Sequence, residues 1–124
     1  MIKLESNNVA FFDVDDTLIH WTYHPEREGE AINIGVGESL LQGRVVPHRV
    51  HIERLKRYKI IGNTVVVWSR SGWDWANAVV KTLQLEDYVD IVMSKPKVYY
   101  DDKMPNDFMG EHRFYNDVKN PLLP

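Results

Sequence analysis

Two aspartates two residues apart, Asp13 and Asp15, follow directly on the apolar run Val9, Ala10, Phe11 and Phe12, within the segment FFDVDDTL that spans Phe11 to Leu18. A short, continuously apolar run reads as a strand of the kind that parallel sheets bury on both faces. The aspartates leave that strand at its carboxyl end, where loops and helix amino termini converge and where open α/β sheets bind ligands. Carboxylates at i and i+2 of an extended segment point the same way and repel, so a cation between them is the simplest arrangement, and a divalent metal meets the need. A plain turn with a helix cap explains Asp13 to Thr17 equally well on residue types alone.

The remaining strand candidates also deliver polar groups where they end. Thr64 to Trp68, TVVVW, runs into Ser69, Arg70, Ser71 and Gly72; Val89 to Met93 is followed by Lys95 and Lys97; Val98 to Tyr100 runs into Asp101 and Asp102. Each has an ordinary use when taken singly. A serine after a strand caps the next helix, a loop lysine or Arg70 is solvated, and DDK before MPND makes an exposed turn.

In this order, from Phe11 to about Asp102, the four motifs resemble those of the haloacid dehalogenase superfamily of phosphohydrolases. The resemblance implies that Asp13 attacks phosphorus and forms an aspartyl-phosphate. It implies that Asp15 protonates the leaving oxygen and then activates water. An acid at Asp15 goes with phosphoryl transfer rather than carbon–halogen cleavage. Ser69 would donate hydrogen bonds to the phosphoryl oxygens, and Lys95, with Lys97 as its competitor, would place a positive charge against Asp13 and phosphate. Asp16 would bind phosphate through its backbone N–H, with Thr17 hydrogen-bonding inside the loop. Asp101 and Asp102, with Asp13 and the backbone carbonyl of Asp15, would hold Mg²⁺ in an oxygen-rich octahedron. The expected activity is that of a Mg²⁺-dependent phosphomonoester phosphatase.

Two other classes use similar residues. A phosphoacceptor receiver domain clusters Asp, Ser or Thr and Lys around Mg²⁺, but carries its phosphoacceptor on a middle strand, and no aspartate directly follows TVVVW. A phosphate- or Mg²⁺-binding module that has lost turnover would keep the same motifs.

The elements that must position these residues fit one domain, spanning residues 1–124. Apolar residues at 44% and charged residues at 27% are ordinary for a globular chain, which argues against disorder. The net charge of -3 argues against a surface built to coat nucleic acid. There is no cysteine, so disulfides, thiolate nucleophiles and thiolate metal sites are excluded, and any metal is held by oxygen or imidazole. The start MIKLESNN lacks the apolar stretch of a signal peptide, and no membrane span is expected, so the location anticipated is cytoplasmic.

After the first strand, Ile32, Ile34 and Val36 alternate with Asn33 and Gly35, and Val45 and Val46 follow Gly43, which suggests a β-hairpin flap over about residues 19–46. From Pro47 the spacing of His51, Ile52, Leu55 and Tyr58 predicts a helix that ends before Gly62. Ala76, Val79, Val80 and Leu83 predict a second, with Ser71 as its cap. Arg113 to Tyr115 is a further, weaker strand candidate, with Asn116 and Asp117 after it, and the final PLLP reads as a loosely packed end. The alternation predicts a three-layer, Rossmann-like α/β domain with a mostly parallel sheet.

About thirty residues between Leu18 and Arg49 are too few for a cap domain, so the site is expected to be open. An open site admits a phosphoprotein, nucleotide or nucleic-acid end, or is closed by a second copy of the chain. The basic segment HRVHIERLKRYK, His48 to Lys59, reads as a solvated helix face in preference to a polyanion contact. Trp21, Tyr23, Trp73 and Trp75 offer faces for stacking bases, though core packing is the expected use of at least half of them.

Overall fold

A computed structural model describes residues 7–21, 31–35 and 42–114 of the chain. Tyr23, Val36, Tyr115, Asn116, Asp117 and the PLLP end lie outside the described residues.

The first strand, β1 (Val9–Asp13), pairs in parallel with β5 (Thr64–Ser69), which pairs in parallel with β6 (Ile91–Ser94). Between β1 and β5 the chain forms a second, antiparallel sheet: β2 (Ile19–Trp21), β3 (Ile32–Gly35) and β4 (Gln42–Pro47), with β4 in the middle. The hairpin expected over the flap is present as β3 and β4. The third strand, β2, was not expected, because three residues directly after a polar loop carry too little periodicity to be seen.

Helix α1 (Arg49–Ile60) follows β4, α2 (Trp73–Thr82) follows β5, and one short turn of helix, α3 (Pro105–Phe108), follows β6. His51, Ile52 and Leu55 are buried as their spacing required. The first helix stops at Gly62, whose φ of 101° lies in the left-handed region that only glycine enters without strain. Ala76, Val79 and Val80 face the core with Trp75. Ser71 does not cap α2. Gly72 occupies the cap position, and the N–H of Trp73 donates instead to Ser94 Oγ at 2.8 Å, so the helix is capped from the neighbouring strand.

The described elements form an α/β unit in which helices cover one face of the parallel sheet. The strand order β1-β5-β6 moves in one direction. Right-handed crossovers that step the same way put their helices on the same side. One continuous core results, in which Phe12, Val65 and Val67 meet Ile52 and Leu55 of α1 and Val79 of α2. Ile34 and Val45 of the flap join it, so the flap sheet is part of the core and not an appendage. The opposite face carries Val9, Phe11 and Ile91, which remain exposed. A third layer would require the chain to reverse direction past β1, and no strand pairs with that edge among the described residues. Neither Val98–Tyr100 nor the described part of Arg113–Tyr115 forms a strand. Both have apolar residues, but their side chains remain exposed at Val98, Tyr99, Tyr100 and Phe114, so no burial rewards the extended form.

Candidate active site

The loop after β1 is pinned from beneath. Val14, Leu18 and Ile19 are fully buried, and the carbonyl of Val14 accepts the N–H groups of Thr17, Leu18 and Ile19 at 3.2, 3.0 and 3.2 Å. Apolar anchors at 14, 18 and 19 thus fix a tight turn and leave the polar residues between them outward. Asp16 takes φ 61°, the left-handed conformation that aspartate tolerates better than most residues. Its carboxylate lies 3.9 Å from His20 Nδ1.

Asp13 closes β1 opposite Trp68 and faces the same side as Phe11. Lys95, one residue beyond β6, reaches back to it with Nζ 3.1 Å from Oδ1, while Thr17 Oγ1 donates to Oδ2 at 3.4 Å. The lysine is placed by its own backbone, whose N–H donates to the carbonyl of Ser69 at 2.9 Å. Its ammonium also sits 5.7 Å from the centre of the Trp68 ring. Lys97 is exposed and makes no ion pair among the described residues.

Asp15 is held by three donors. The indole N–H groups of Trp21 and Trp75 both reach Oδ1, at 3.2 and 3.1 Å, and the hydroxyl of Ser71 donates to Oδ2 at 3.3 Å. The two indoles stack, with ring centres 5.7 Å apart and planes 12° from parallel. Sequence reasoning placed these tryptophans in the core or against bases. Their convergence on one carboxylate had no local signal, since Trp75 lies 60 positions away from Asp15. Trp73, by contrast, is exposed.

Ser69 is at the end of β5 but fully buried. By strand alternation it shares the helix-covered side with Val65 and Val67, and its Oγ accepts the N–H of Ser71 at 3.0 Å. Asp13, Asp15, Asp16 and Lys95 line one cleft with Arg54, His51 and residues 109–114; Ser69, Asp101 and Asp102 are not among its walls. The helical spacing puts His51 on the apolar stripe of α1 and Arg54 on its solvated face; both are buried, and they bring a guanidinium and an imidazole, 3.4 Å apart, to the cleft.

The four carboxylates expected around a metal are divided, with Asp13 and Asp15 lining the cleft and Asp101 and Asp102 not among its walls. Among the described residues no three acidic or imidazole side chains converge as a bound ion needs. Asp101 and Asp102 are on an exposed turn, where Asp101 Oδ1 accepts the N–H of Lys103 at 2.9 Å. Asp13 is neutralised by Lys95, and Asp15 is occupied by its three donors. Asp13 and Asp15 thus have partners within the protein, and Asp101 and Asp102 are not among the walls of their cleft. Lys95 stands against Asp13, as the resemblance implies.

Among the described residues, no helix is long and apolar enough to cross a membrane. No family model matches the chain, and neither does any curated protein.

Proposed function

We propose that the chain is a phosphomonoester hydrolase that works through an aspartyl-phosphate on Asp13. The observation that carries the reading is the pairing of Asp13 with Lys95 at the carboxyl ends of β1 and β6, the two parallel strands that flank β5, beside a second carboxylate, Asp15, held in a fixed orientation. A carboxylate oxygen of Asp13 attacks phosphorus, the bond from phosphorus to the ester oxygen breaks, and a proton held at Asp15 passes to the departing alcohol. Water then attacks the phosphorus of the phosphoenzyme, the bond from phosphorus to the Asp13 oxygen breaks, one water proton returns to Asp15, and inorganic phosphate leaves with the Asp13 carboxylate regenerated. Lys95 counters the charge that grows on the phosphoryl oxygens. The loop N–H of Asp16 is a further donor, and the buried Ser69 acts by shaping the turn to Ser71.

The reading extends to a phosphorylated substrate in the cytoplasm, a nucleotide or nucleic-acid end being one class, and to a sheet that continues past β1 into a Rossmann-like, three-layer domain. Mg²⁺ belongs to it as a requirement to be measured; when bound it would supply charge neutralisation at the transferring phosphoryl group.

The test is release of inorganic phosphate from p-nitrophenyl phosphate and from a panel of nucleotides, phosphosugars and phosphopeptides, with and without Mg²⁺. Turnover by the natural chain, with loss of at least about a thousandfold in Asp13→Asn, is expected. Substantial turnover by that variant removes Asp13 as the nucleophile. One rival, a phosphate-binding module without turnover, would bind phosphate yet release none from any ester.

A further inference from the structure

We infer that Trp21 and Trp75 are positioning residues for Asp15, and that the antiparallel flap sheet sets the orientation of this carboxylate through them. The inference rests on the phosphatase reading and adds to it the part of the molecule that makes Asp15 competent.

The geometry is specific. Trp21 comes from the flap strand β2 and Trp75 from the first turn of α2, yet both indole N–H groups end on the same oxygen, Oδ1. A buried indole needs some acceptor, but nothing in that need makes two of them share one atom. Sharing has a consequence for the carboxylate. An oxygen that accepts two N–H donors has no room for a proton, whereas Oδ2 meets a single hydroxyl, that of the exposed Ser71. A hydroxyl can turn to accept as readily as it donates. The clamp therefore anchors Oδ1 and leaves Oδ2 as the oxygen that gives its proton to the leaving group.

The flap is built around this clamp. Trp75 is almost fully buried, so its ring cannot shift. Trp21 stacks on it and lies across β4 at Gly43, where a Cβ would overlap ring atoms Cζ3 and Cη2 of Trp21. Glycine at 43 is thus required by the indole, and β4 in turn is locked to β2 through Ile19↔Pro47 and Trp21↔Val45. The chain of cause runs from Gly43 to Trp21 to the orientation of Asp15.

The test uses the leaving-group dependence of kcat/KM, which reports formation of the phosphoenzyme. p-Nitrophenolate departs with little need of a proton, whereas the alkoxide from β-glycerophosphate needs one. In Trp21→Phe, which keeps an aromatic ring and loses the N–H, kcat/KM for β-glycerophosphate is expected to fall about tenfold or more, with p-nitrophenyl phosphate falling less than about threefold. Gly43→Ala should show the same selective loss. In an Asp15→Asn background, Trp21→Phe should add nothing. Equal losses on both esters, or full additivity with Asp15→Asn, would assign the tryptophans to packing alone and overturn the inference. If the natural chain turns over no ester, the phosphatase reading fails by itself. The clamp is then judged by near-ultraviolet circular dichroism and indole emission: a change in Asp15→Ala supports it, and unchanged spectra sink it.

Discussion

At the residue scale, Lys95 makes the sharpest claim, because it stands 3.1 Å from Asp13 Oδ1 while Lys97, two positions on, is exposed. A pair that is about one-third exposed contributes little to stability, so its value lies in the charge that develops during reaction. Lys95→Met is expected to lower kcat by about a hundredfold to a thousandfold with a small change in Tm, and Lys97→Met to leave both unchanged. Steady-state kinetics with thermal unfolding of both variants decides it; an equal loss in the two would return the choice to the sequence, where it began. That Asp13, Asp15 and Lys95 come to one cleft was legible there because local rules govern their placement: both aspartates leave β1 together, and parallel strands bring their carboxyl ends to one side. Ser69 was legible as a strand end but not as a buried one, since which side of the sheet it faces depends on register. The roles of Trp21 and Trp75 were hidden because the acceptor they share belongs to a distant loop.

At the element scale, the joins between strands and helices matter most. Asp90, just before β6, accepts from Lys59 Nζ at 2.6 Å and from the N–H of Val65 at 2.8 Å, and so ties the end of α1 to the start of β5. Burial pushes its carboxyl up, but the hydrogen bonds from Lys59 and Val65 and the lysine charge outweigh it, and the net shift is below the ordinary value. A depressed carboxyl contributes stability that is present above the unfolded-state value, roughly 4, and is lost as pH falls through the folded-state value. Asp90→Asn should therefore lower Tm at neutral pH, with the gap to the natural chain closing as pH drops below about 4; thermal melts across that range would refute this if the gap stayed constant. Leu55→Ala removes a fully buried side chain from the α1 contact with the sheet and should cost about 2–5 kcal/mol in chemical denaturation. The helices were readable from spacing, since a period of 3.6 shows over three turns. The cap on α2 was not, because Ser94 supplies it from across the sheet.

At the scale of the whole molecule, what matters is how the charge at the mouth is balanced. Four carboxylates, Asp13, Asp15, Asp16 and Glu111, line the cleft with the cations Lys95, Arg54 and Arg113, of which Arg113 pairs with Glu111 at 3.2 Å. Carboxylates about 4 Å apart repel by roughly 4 kcal/mol at an effective dielectric near 20, so each needs a partner. Here Asp13 has Lys95, Asp15 has two indoles and a hydroxyl, and Asp16 has His20 nearby. The mouth is thus electrostatically tolerable without a divalent ion. If turnover depends on Mg²⁺, the exposed carboxylates of Asp101 and Asp102, six and seven positions after Lys95, are expected to join Asp13 at the ion. The expected outcome is that EDTA abolishes phosphate release, Mg²⁺ restores it, and Mg²⁺ slows amide exchange over residues 98–104 in the natural chain but not in Asp102→Asn. Exchange that ignores Mg²⁺, alongside activity that survives EDTA, would leave Lys95 as the principal positive charge acting on Asp13.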